Sequence, residues 1–191
     1  MLAGQAVVIT RPASQAAALA GLIEQTGAKT ILFPALEIVL LPVSSSALNS
    51  VNKADMAIFI SANAVEMGLQ QASLSTTCAL AAIGNATTAA LVQAGYRDII
   101  SPQIGADSEA LLAEPAMQNV AGKRIVIFRG VGGRETLRTV LIQRGARVAY
   151  IECYQRSVPS VSAIAVANLL DRKSTRLNSS HLRLSRMPSS A

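Results

Sequence analysis

The residues able to do chemistry in this chain fall in four short segments: Thr10-Arg11-Pro12, Ser61-Ala62-Asn63, Gly84-Asn85-Ala86-Thr87 and Arg129-Gly130-Val131-Gly132. Each follows a short apolar run of strand character and precedes apolar residues at helical spacing. A loop so placed offers backbone N–H groups and the positive end of a helix to an anion. Taken singly, each is also what a tight turn requires for geometry alone. Ser108 reads as the N-cap of a further helix carrying Leu111 and Leu112, with Glu109 in its first turn. Six arginines, Arg129, Arg134, Arg138, Arg144, Arg147 and Arg156, crowd one stretch. Guanidinium forks suit carboxylates and phosphates, so an anionic small molecule is the expected partner. Arg138 and Arg144 read as solvated helix-surface residues. Tyr154 supplies a phenol, which is either a weak general acid facing a ligand or a strand aromatic packed on a neighbour.

Other chemistries find little support. The sole histidine, His181, lies in a Ser- and Arg-rich tail, so a metal would need carboxylates alone and a Ser–His or Cys–His pair lacks its base. Arg-Gly-Val-Gly-Gly is not the dinucleotide fingerprint, and there is no Walker A segment. No cofactor is expected. Aromatic residues make up 3% of the chain, without Trp, which argues against base-stacking nucleic-acid modules. Cys78 and Cys153 have neither metal nor redox spacing and suit a reducing cytoplasm. The N-terminus lacks the basic region of a signal peptide. The longest apolar run, 31–43, contains Pro34, Glu37 and Pro42 and is too short for a bilayer. The expectation is a soluble, cytoplasmic monomer that binds neither membrane nor nucleic acid.

Positioning such loops takes alternating strands and helices. Strands are expected at 6–9, 56–60, 80–83, 99–100, 125–128 and 147–151. Helices are expected at 14–25, around Leu48 and Val51, from Ser61 through Met67, after Gly84 as far as Gly95, after Ser108, and through Leu137, Val140 and Leu141 to a C′ glycine at Gly145. Such alternation implies parallel sheets with right-handed crossovers. An offset of 118 residues relates Arg11 to Arg129 and Gly27 to Gly145, with Leu19, Leu22 and Ile23 falling on Leu137, Val140 and Leu141. A constant register of this kind points to a duplicated module. Extended segments at 30–41, broken by Pro34, and 151–158, ended by Pro159, read as paired linkers around an inserted domain.

The chain carries a net charge of +6, but residues 171–191 hold five basic residues against Asp171, leaving only +2 on the first 170. An apolar helix is expected at 161–170. Beyond it, 171–191 lacks a core pattern, matches nothing earlier in the chain, and reads as a structureless tail foreign to the rest of the protein. The expected division is 1–36 with 157–170 as a first α/β domain, left unfinished, and 37–156 as a second, inserted α/β domain.

Seven segments together resemble the uroporphyrinogen-III synthase family: Thr10-Arg11-Pro12, FPALEI (33–38), ISANAV (60–65), AIGNATTAAL (82–91), ADSEALL (106–112), RIVIFRGVGGRE (124–135) and ECYQR (152–156). The resemblance runs from Val7 to Pro159. It implies two flavodoxin-like parallel-sheet domains joined by a two-stranded linker, the first domain incomplete here. It also implies a cofactor-free lyase reaction in haem biosynthesis. Hydroxymethylbilane loses its hydroxyl as water, and the resulting azafulvene is attacked by the substituted carbon of ring D. The spiro intermediate then fragments and recloses with ring D inverted. The resemblance gives Tyr154 the task of assisting hydroxyl loss. It places Arg11, Ser61, Ala62, Asn63, Gly84, Asn85, Ser108, Arg129, Gly130, Val131 and Gly132 around the substrate, largely through backbone amides. With the first domain unfinished, turnover by this chain is itself open. Two other readings stand beside it. One is a non-catalytic α/β module that binds an anionic small molecule. The other is nucleic-acid binding through the basic tail, which would be strongly salt-dependent and vanish on deletion of 172–191.

Overall fold

The computed structural model describes residues 2–159 and 175–178. The helix expected at 161–170 and His181 lie outside them. The chain divides into two compact units, Met1–Glu37 with Ser157–Ala191, and Ile38–Arg156.

In the first unit, β1 (Ala6–Ile9) is followed by a short 3-10 turn at Ala13–Gln15, α1 (Ala17–Glu24) and β2 (Lys29–Leu32). β1 pairs in parallel with β2. Val7, Ile9, Ala16, Ile23 and Ala28 form its core, with Leu19 packed against them. Gly27 ends the helical turn at φ +81°. The open edge of β1 is taken by a strand at Thr175–Asn178, also parallel. This corrects the expectation of a structureless tail at those four residues. A strand buried as β1 is must pair its backbone groups on both edges, and main-chain pairing makes little demand on side-chain pattern.

In the second unit the chain runs β3 (Glu37–Leu40), α2 (Ser45–Asn52), β4 (Met56–Phe59), α3 (Ala62–Leu69), β5 (Ala79–Ala82), α4 (Asn85–Gln93), β6 (Ile99–Ile100), α5 (Ser108–Ala113), α6 (Pro115–Gln118), β7 (Arg124–Gly130), α7 (Thr136–Gln143) and β8 (Arg147–Ser157). The last strand, at Thr175–Asn178, is β9. The sheet order is β3-β8-β7-β4-β5-β6. The β4–β5, β4–β7, β5–β6 and β7–β8 pairs are all parallel. Helices cover both faces, as a parallel sheet requires. One face packs Phe59, Leu80 and Phe128 against Val51 of α2, Val65 of α3 and Leu91 of α4. The other packs Ile58 and Ile127 against Leu111 of α5, Met117 of α6 and Leu137 and Leu141 of α7.

Two close contacts fix the sheet's interior. Phe59 and Phe128 are register partners on β4 and β7, and their rings stack at 4.5 Å with 7° between planes. Gly68 of α3 lies over Phe128, where a Cβ would stand 2.6 Å from the ring. Gly145 closes α7 at φ +85°, close to the φ of Gly27 after α1. Helix α5 corrects one expectation. Its N-cap is Asp107, whose carboxylate accepts from the Ala110 amide at 2.8 Å, so Ser108 is the first helical residue. Asp and Ser are comparable caps, and the backbone entry angle chooses between them. Arg144 is likewise no free surface residue, since it donates to the carbonyls of Leu112 and Met117 at 2.9 and 3.0 Å and ties α7 to the α5–α6 turn.

Candidate functional site

Four loops of the second unit leave the carboxyl ends of β4, β5, β6 and β7, where parallel sheets hold ligands. Ser61 follows β4 and caps α3, accepting from the Ala64 amide at 3.1 Å; Ala62 and Asn63 begin the helix. Gly84 follows β5 and precedes α4, which Asn85 begins. A Cβ on Gly84 would lie 2.6 Å from that of Ala106, so a close approach of two loops requires glycine there. Ser108 begins α5 and is half-buried. Gly130, Val131 and Gly132 leave β7. Arg11 follows β1 and belongs to the first unit.

A bulge places Tyr154. The β7–β8 register pairs Arg129 with Glu152 but Gly130 with Tyr154, so Cys153 is an extra residue. Alternation alone would put Tyr154 on the face of Tyr150. The added residue turns it to the opposite face, where it joins Ile151 and Cys153 in one core cluster. Its ring lies against Gly130, where a Cβ would come within 2.6 Å of it. Its hydroxyl is 3.0 Å from Ser61 Oγ. The Val131 amide bonds the Tyr154 carbonyl at 2.9 Å, fixing the start of the glycine loop. Tyr154 is only 4% exposed, so the phenol is held by its surroundings rather than mobile in solvent.

Arg129 takes the other side of the sheet. It is 2% exposed, with Nε on the Gly130 carbonyl at 3.2 Å, one terminal nitrogen on Glu135 Oε1 at 3.0 Å and the other on the Gly132 carbonyl. The guanidinium carbon lies 4.3 Å from the centre of the Tyr150 ring, a cation–π contact. Arg138 approaches the same ring at 5.5 Å. Tyr150 donates its hydroxyl to Glu135 Oε2 at 2.9 Å. That bond first, and Arg129 with it, holds the Glu135 carboxyl below the usual range. Burial, reinforced by the same carboxylate, pushes the Tyr150 phenol up. The guanidinium therefore folds back onto its own loop instead of projecting toward a ligand. The sequence marks Arg129 but not its direction, and nothing in the spacing marks Glu135 or Tyr150 as its partners.

Beside this network is a cavity of about 150 Å³ lined by Ile60, Ile83, Ser108, Ile127, Arg129, Arg134, Leu137 and Tyr150. It brings Ser108 and Arg129 together. Tyr154 and Ser61 meet separately, against the opposite face. Among the described residues no three His, Cys, Asp or Glu side chains gather in a way that could hold a metal. No described helix is long and apolar enough to cross a membrane.

The fold and site define a two-unit parallel α/β protein with its polar loops at the carboxyl edge of a six-stranded sheet. The profile of the family described as uroporphyrinogen-III synthase HemD matches residues 17–177, and the chain belongs to that family. The match ends inside the tail, whereas the motif resemblance ends at Pro159. Over 158 residues the chain is 38% identical to the uroporphyrinogen-III synthase of Salmonella typhimurium, covering 78% of this chain and 64% of that relative. It is 34% identical to that of Proteus mirabilis, covering 78% and 79%. The chain thus spans about two thirds of the length of the Salmonella enzyme. A solved structure of a mutant uroporphyrinogen III synthase from Thermus thermophilus superposes with a TM-score of 0.58 at 19% identity, covering 82% of this chain and 64% of that one. That likeness supports the fold.

Proposed function

We propose that this chain acts as a uroporphyrinogen-III synthase on hydroxymethylbilane, a cytoplasmic, monomeric lyase of haem biosynthesis. The observation that carries the reading is the family match together with a buried phenol, Tyr154, held at the carboxyl edge of the sheet. Ser61 Oγ already accepts from the Ala64 amide and can turn its own proton toward the Tyr154 oxygen. In that arrangement the phenol proton is free to be given to the departing hydroxyl, which leaves as water. The backbone amides of the 61–63 and 84–85 loops and of Gly132 then serve the substrate's carboxylates. Ring closure is chiefly a matter of holding the two ends of the bilane together. Two free, buried thiols suit the reducing cytoplasm.

The test is turnover of freshly generated hydroxymethylbilane with the uroporphyrin isomers separated after oxidation. Type III isomer above the spontaneous type I background is the expected result. Type I alone would overturn the assignment of this activity to the chain.

A further inference from the structure

All three nitrogens of Arg129 already donate, to Gly130, Glu135 and Gly132, and its guanidinium lies on the Tyr150 face at 2% exposure, so it presents no exposed fork to a ligand. The next guanidinium on the same loop is different. Arg134 is exposed, and among the described residues it makes no hydrogen bond or ion pair. It nevertheless lines the 150 Å³ cavity, whose walls are Ile60, Ile83, Ile127 and Leu137 and whose polar groups are Ser108 and Tyr150. The nearest carboxylate in sequence, Glu135, is already held by Arg129 and Tyr150 and does not neutralise Arg134.

An apolar wall beside one unneutralised guanidinium and the Ser108 hydroxyl fits a flat apolar ring bearing a carboxylate arm. The loop that carries Arg134 is braced by Arg129, which donates to the Gly132 carbonyl before it and to the Glu135 carboxylate after it.

We propose that Arg134 is a specificity-determining residue that pairs with one carboxylate arm of the ligand in this cavity, on the sheet face opposite Tyr154. The proposal rests on the reading of the ligand as a polycarboxylate tetrapyrrole. It assigns the charged contact to the exposed arginine of the loop and leaves Arg129 as the residue that positions the loop.

The test is equilibrium binding of uroporphyrin, an octacarboxylic porphyrin, to the full chain, followed by fluorescence, with its octamethyl ester as the uncharged control. Arg134→Gln is expected to weaken uroporphyrin binding by about 10- to 100-fold, as loss of a charge-assisted hydrogen bond does. Arg134→Lys should recover part of it, and Arg97→Gln, an equal change of charge in the turn between α4 and β6 and outside the cavity lining, should leave binding unchanged. In turnover, Arg134→Gln should raise KM with kcat kept. Wild-type binding of uroporphyrin matched by Arg134→Gln would overturn this inference and leave the proposed function standing. Failure of the wild-type chain to bind uroporphyrin would overturn the tetrapyrrole reading and this inference with it.

Discussion

The Tyr154 hydroxyl lies 3.0 Å from Ser61 Oγ although 93 residues separate them in the chain. The pair joins the last strand of the second unit to the cap of α3, and it exists because the bulge at Cys153 turns Tyr154 onto the face where α3 packs.

Tyr154→Phe and Ser61→Ala separate chemistry from packing. Each removes the bond between the two oxygens, worth about 0.5–1.5 kcal/mol. Ser61→Ala also removes a helix cap, worth about 0.5–2 kcal/mol. Ser61→Ala is therefore expected to lower stability more, measured by urea midpoint. Turnover should show the reverse order, with Tyr154→Phe slower by about 100-fold or more, as loss of a general acid requires. Equal turnover by Tyr154→Phe and wild type would make Tyr154 a packing aromatic.

Gly68→Ala sets two known effects against each other. Alanine inside a helix gains about 1 kcal/mol over glycine. Its Cβ would lie 2.6 Å from the Phe128 ring, which is fully buried and stacked on Phe59, so the ring has nowhere to move. Overpacking of this kind costs about 1–3 kcal/mol. A net loss of stability is expected for Gly68→Ala. Gly130→Ala should show an added loss of the Ser61 bond, because its Cβ meets the Tyr154 ring at 2.6 Å. A stabilised Gly68→Ala protein would show that α3 can lift off the sheet.

These contacts mark where the sequence stops being readable. Apolar runs gave β1, β4 and β6 nearly to the residue, and Gly145 marked the end of α7 through the positive φ it adopts. Those features are local. The bulge that aims Tyr154 depends on the register of a partner strand, so alternation along β8 alone points the ring to the wrong face. Arg129 shows the same limit. Its residue type marks an anion site, whereas the carbonyls of its own loop, Glu135 and Tyr150 decide where the guanidinium goes. Asp107 displaces Ser108 as cap because backbone direction, not side-chain preference, separates two adjacent good caps.

Both thiols should be silent in the native chain. Burial pushes the Cys153 thiol up to about 11 and raises Cys78 as well, with the Asp55 carboxylate adding to the second. Cys153 is also fully enclosed, its sulfur facing the carbonyls of Ala64 and Arg129. At pH 8 the thiolate of Cys153 is on the order of one part in a thousand. Labelling by a disulfide reagent should count two thiols in denaturant and none rapidly without it. A fast native thiol would show that β8 opens on the timescale of the reagent.

Asp55 gives the stability an acid limb. Its carboxylate receives the Arg124 side chain at 2.7 and 3.1 Å and the Arg124 amide at 2.7 Å, which joins the start of β7 to the start of β4. The Arg124 side chain, with its amide, holds the Asp55 pKa down to about 2. An unfolded aspartate titrates at about 3.9. A depressed folded value means that the contribution is present above about pH 4 and is lost as pH falls toward 2. Asp55→Asn should therefore be less stable than wild type at pH 6, and the gap should close on acidification through that window. Both side chains reach solvent, so molar salt should narrow the gap at pH 6 as well. Urea midpoints of the two proteins at pH 6, 4 and 2.5 decide the matter, and a gap that stays constant across them would remove Asp55 from the acid response.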